Sequence, residues 1–140
     1  MGRTTTSLRL EDELRASLAA QAEMEGSSLT ALVERMLREG LAMEQHSGIL
    51  FNPGPSGRRA TLAGGPDVWE IVSAARRMTG SEQERVRALA EEFGIHERQV
   101  VIALDYAAAN PDEIQARVRA NDRAHDEAER IAAGRKRLLA

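Results

Sequence analysis

Hydrophobic and polar positions change period several times along this chain, and each change marks an element. Residues 3–10 alternate: Thr6, Leu8 and Leu10 fall on one side, Thr5, Ser7 and Arg9 on the other. That period of two predicts a short strand, and the run is threonine-rich and free of proline. From Glu11 the spacing turns helical, with Leu10, Leu14, Leu18 and Ala22 four residues apart. Glu11, Asp12 and Glu13 suit a helix N-terminus, and Gly26 is a natural stop. Ser27-Ser28 then caps a second helix reaching about Gln45, whose apolar stripe includes Leu29, Leu32, Val33, Met36, Leu37 and Leu41.

A strand and two helices in about forty residues bury too little to stand alone, and a single strand leaves its backbone groups unpaired. Two copies that pair strands and interlock helices cure both defects. Leu8, Leu10, Leu14, Leu18, Leu32, Val33 and Met36 are then the expected core of a homodimer.

Beyond residue 46 the pattern is different. Two short apolar runs, 49–51 and 60–62, flank Asn52-Pro53-Gly54-Pro55-Ser56-Gly57, which predicts a small hairpin or an ordered loop. A helix opens at Pro66 or Asp67 and runs through Met78. Ser81 caps the next, which Gly94 ends, and 96–109 forms another, giving a helix-turn-helix-like pair with Arg98 and Gln99 near its second helix. Trp69 reads as a core anchor. Pro111 opens a charged, alanine-rich segment, 112–140, with few large apolar residues. That segment is expected to be a helical tail that folds on a partner. The chain thus divides into 1–46, 47–110 and 111–140, mainly α with one leading strand.

Composition narrows the chemistry. The 140 residues contain no cysteine, one tryptophan and one tyrosine, and carry a net charge of −3. Disulfides, thiolate metal sites and cysteine nucleophiles are excluded. An aromatic stacking surface for single strands is not available. Basic charge is nearly all arginine, Lys136 being the sole lysine, which favours planar bidentate contacts. His46, His96 and His125 lack ligand spacing, and no Ser/His/Asp set stands out. The glycines at 54, 57, 64 and 65 lack the Gly-Lys-Ser/Thr that completes a phosphate loop. No enzyme activity, cofactor or metal is expected. No apolar run is long enough for a membrane span, so a cytoplasmic protein is expected.

The run TSLRLEDELRASLAAQAEMEGSSLTALVERMLREGL resembles the ribbon-helix-helix family of bacterial repressors and antitoxins, the CopG/Arc/MetJ type. The resemblance covers about a third of the chain and implies a dimeric antiparallel β-ribbon that enters the DNA major groove. Carried onto this sequence, Thr5, Ser7 and Arg9 face the bases, with Arg3 beside them. Arginine pairs with guanine and Ser or Thr reaches either base. Ser28, Leu29 and Thr30 would offer free amides to a phosphate. Thr6 departs from the usual apolar inward residue.

The stretches GPSGRRATLAGGPDVWEIV and GIHERQVVIALDYAAANPDEI resemble a small helical domain of bacterial antitoxins, commonly encoded beside toxins with PIN-like ribonuclease domains. That resemblance implies an antitoxin that represses its own operator and neutralises such a toxin. Arg58, Arg59, Arg117, Arg119, Arg123 and Arg130 would meet acidic groups of the toxin, while Ile114 and Val118 anchor the tail in an apolar groove. The rival expectation is a stand-alone repressor with a C-terminal sensing or oligomerisation domain.

Overall fold

The computed structural model describes residues 2–140 and divides into two compact units, one up to Ala42 and one from Met43 to Ala140. The order of elements is α1 (Asp12–Glu25), α2 (Leu29–Gln45), β1 (Ile49–Asn52), β2 (Arg59–Leu62), α3 (Val68–Arg77), α4 (Glu82–Phe93), α5 (Glu97–Ala109) and α6 (Pro111–Leu138).

The first unit corrects the expectation of a leading β-ribbon. Residues 2–11 form no strand and are exposed throughout; both strands found among the described residues come after the two N-terminal helices. The physical reason lies in the backbone. Alternation makes a segment fit for pairing, but a ladder needs a second strand, and this unit holds none among its described residues. Thr6, Leu8 and Leu10 therefore have no sheet face to turn inward. The helices follow the sequence closely. Gly26 closes α1 in the left-handed region at φ 66°, its N–H donating to the carbonyls of Ala22 and Glu23. Ser28 Oγ accepts from the Ala31 amide at 3.1 Å and starts α2. Arg35 reaches Glu25 at 2.9 Å and Glu39 at 3.6 Å, fastening the end of α1 to α2.

The second unit is built on a hairpin and four helices. β1 and β2 pair antiparallel with Ile49 opposite Leu62 and Asn52 opposite Arg59. The turn between them uses Gly57 at φ 100°, open to glycine at little cost. Each of the next three helices opens on a reciprocal cap. Asp67 pairs with Glu70, Ser81 with Glu84 and His96 with Gln99. The backbone and hydroxyl of Ser81 hold the Glu84 carboxyl below its ordinary pKa. The third cap gives His96 a structural role: its Nδ1 accepts from the Arg98 amide at 3.2 Å.

Val68, Ile71 and Ala74 on α3, Val100 and Ala103 on α5, and Ile49 and Leu62 on the hairpin form the core. α3 packs on α5 and α6, and α4 packs on α5. The segment expected as a separate tail starts inside this core. Ile114 and Val118 are almost fully buried, and α6 continues as one helix of 28 residues, about 42 Å long. Its distal turns are exposed.

Candidate functional site

Two surfaces stand out, one in each unit. In the first, Ala22 and Leu32 are the buried hydrophobic residues; Leu18, Leu29 and Val33 are half-buried. Leu8, Leu10, Leu14, Met36, Leu37 and Leu41 are exposed, Leu8 by 65% and Leu41 by 63%. Of these, Met36, Leu37 and Leu41 share one side of α2 by their helical spacing, an apolar stripe of the kind that another protein surface covers. Of the expected dimer core, then, the single chain buries Leu32 alone and half-buries Leu18 and Val33.

The expected DNA-contacting residues share one exposed segment. Arg3, Thr5, Ser7 and Arg9 all lie open to solvent, with Arg3 in a loose pair with Glu34 at 3.6 Å. An exposed pair of that length contributes little stability, so Arg3 is available to another anion. At the start of α2, Ser28 and Thr30 are exposed and the first turn carries no acidic residue.

In the second unit, the expected toxin-binding residues separate into two groups. Arg58, Arg59 and Arg117 come together, but their bonds turn inward. Arg58 Nη2 donates to the Phe51 carbonyl at 3.1 Å, and Arg59 Nε pairs with Asp67. Arg117 donates to Ser56 Oγ at 2.9 Å and to the Arg58 carbonyl. These guanidiniums hold the hairpin against α3 and α6. Ile114 and Val118 are spent in the core and have no surface left for a partner's groove. Arg119, Arg123 and Arg130 are exposed on α6, where Arg130 pairs with Glu127 at 2.9 Å and is thereby held more strongly protonated.

Around the inward arginines lies an open cavity of about 760 Å³, bounded by the hairpin turn, the start of α3 and the face of α6 carrying Ala116, Ala120 and Ala124. Trp69 borders it, half-buried, its indole N–H donating to Asp67 Oδ2 at 3.2 Å. Behind it Tyr106 is buried, its hydroxyl donating to Glu113 at 2.8 Å and its ring edge-on to His46 and Phe51. The sequence gives no sign of this Tyr106–Glu113 link, because it depends on how α5 meets α6. The helix-turn-helix-like pair is less suited to base reading. Gln99 is occupied by its cap to the His96 amide at 3.0 Å, which leaves Arg98 as the exposed candidate.

Among the described residues no group of three or more His, Asp or Glu is placed to hold a metal ion. No helix among them is long and apolar enough to cross a membrane. Comparison with protein-family models, curated proteins and solved structures finds no match to this chain.

Proposed function

We propose that this chain is a dimeric DNA-binding regulator, the antitoxin of a toxin–antitoxin pair. The observation that carries the reading is the exposed apolar face of the first unit, which a second copy covers. Dimerisation brings two N-terminal arms into one assembly. Arg3, Thr5, Ser7 and Arg9 supply the residue types that read base edges in the major groove and bind phosphate. The acid-free first turn of α2, at Ser28, Leu29 and Thr30, adds amide donors for a phosphate. The resemblance of residues 6–41 to bacterial repressors and antitoxins supports the same assignment.

The second unit carries the toxin-binding part of the proposal. Arg119, Arg123 and Arg130 are exposed on α6 and suit the acidic, metal-holding site of a PIN-like ribonuclease. The cavity beside Trp69 favours a second reading, a stand-alone repressor whose second unit senses a ligand.

The test is a gel-shift titration at fixed salt on the DNA upstream of the chain's own coding sequence. Arg9→Ala should weaken binding by ~1–3 kcal/mol and relax preference at one base position, while dimerisation persists. Equal affinity of variant and native chain would overturn the assignment. Truncation after Ala120, which spares Ile114 and Val118, separates the two readings. In the antitoxin reading it abolishes protection from a ribonuclease encoded beside the chain and leaves DNA binding intact. In the repressor reading there is no such protection to lose.

A further inference from the structure

The cavity of the second unit is left open by small side chains on one face of a helix. Glu113, Ala116, Arg117, Ala120, Asn121 and Ala124 border it from α6, and their spacing by threes and fours puts them on one side. The three alanines leave room that longer side chains would fill. Trp69, half-buried near the start of α3, borders the same space. Its indole N–H donates to Asp67 Oδ2 at 3.2 Å, which fixes the ring. At about 760 Å³, with walls from the hairpin turn, α3 and α6, the cavity has the size of a small-molecule site, roughly 300–1,000 Å³.

Most of the polar lining is already engaged. Arg59 donates from Nε to Asp67 and from Nη1 to the Pro53 carbonyl at 3.4 Å. Arg117 donates from Nη1 to Ser56 Oγ and from Nη2 to the Arg58 carbonyl. Asp67 answers Arg59 and Trp69 together. Glu70 and Glu113 differ. Glu70 accepts the Asp67 amide at 2.9 Å and Glu113 the Tyr106 hydroxyl at 2.8 Å, each through Oε2. Among the described residues neither carboxylate forms an ion pair, and each keeps Oε1 for another donor. Three carboxylates against two guanidiniums leave the lining at −1, and the spare charge sits on these two acceptors.

We propose that this cavity binds a small organic cation, a molecule with a flat apolar body and one ammonium, amidinium or guanidinium group. Of the aromatic side chains an indole attracts a cation most strongly, and the alanine floor meets the apolar body. Glu70 and Glu113 accept from the cationic nitrogen in charge-assisted hydrogen bonds. An anion would meet the same two carboxylates with both arginines already engaged. The proposal rests on the reading of the second unit as a ligand sensor and gives that ligand its chemical class.

Trp69 is the sole tryptophan, so the full-length chain has a single indole N–H signal by nitrogen–proton NMR, and it reports from the site. Benzamidine, benzamide and benzoate are similar in shape and carry a positive charge, none and a negative charge. At one fixed salt concentration, benzamidine should shift the indole signal saturably, with a Kd about tenfold or more below that of benzamide and with benzoate weakest. Glu70→Gln combined with Glu113→Gln keeps both accepting oxygens and removes both charges, so benzamidine should then bind no better than benzamide. Ala120→Leu fills the floor and should abolish the shift by all three, while the backbone signals of the second unit stay native-like. Benzamide or benzoate binding as well as benzamidine would overturn the cation and leave the ligand-sensing reading standing. A preference for benzamidine that survives the double variant would overturn the two glutamates as its acceptors. An indole signal that none of the three moves would overturn the proposal and the ligand-sensing reading together.

Discussion

Leu32→Ala is expected to unfold the first unit outright while the second stays folded. Leu32 is 1% exposed and, with Ala22, makes up that unit's buried hydrophobic core among the described residues. Truncating a buried leucine costs ~2–5 kcal/mol, from lost transfer energy and the cavity left behind. A unit of some forty residues has no such reserve, since chains of that size usually need oligomerisation to fold at all. Hydrogen exchange reads the outcome by residue. Amides of α1 and of α2 as far as Ala42 should lose protection, while those of β1, β2 and α3–α5 keep it. In the native chain, protection of the first unit should rise with protein concentration, because folding and association are one process. Protection retained in the variant would show that Leu32 is not the centre of this unit.

The second large effect is expected from Tyr106→Ala. Tyr106 is 1% exposed, sits edge-on to His46 at 5.1 Å and to Phe51 at 6.2 Å, and donates its hydroxyl to Glu113. It joins the hairpin, α5 and α6 at one point. Removing a buried aromatic ring costs ~3–5 kcal/mol. Tyr106→Phe keeps the ring and loses one bond to an exposed carboxylate, so it should cost only ~1 kcal/mol. Trp69, the sole tryptophan, reports unfolding of this unit by fluorescence in a denaturant titration. Equal losses for the two variants would place the energy in the hydroxyl and refute the packing account.

The sequence was most informative where a signal is local. Gly26 and Gly94 end their helices in the left-handed region, as a residue without Cβ readily does. Ser81 caps α4, and of the turn formers 52–57 Asn52 ends β1 while 53–57 lie between the two paired strands. It misled where a pattern needs a partner to express it. Alternation at 3–10 satisfies a strand's side-chain period, yet one chain supplies no ladder for it. Ile114 and Val118 looked too sparse to hold a helix, but two large side chains suffice where α3 already offers a packed face. Arg58, Arg59 and Arg117 looked like a surface for acids. Their acceptors, the Phe51 carbonyl, Asp67 and Ser56, are 7, 8 and 61 residues away, and the last distance lies beyond any local rule.

The proposed dimer requires a second copy to cover the apolar face of the first unit, and sedimentation equilibrium reads that from the mass in solution. The expected mass is twice that of the 15.3 kDa chain, falling to a single chain when Leu37→Glu or Leu41→Glu is added. A monomeric mass before that addition, with the first unit still folded, would contradict it.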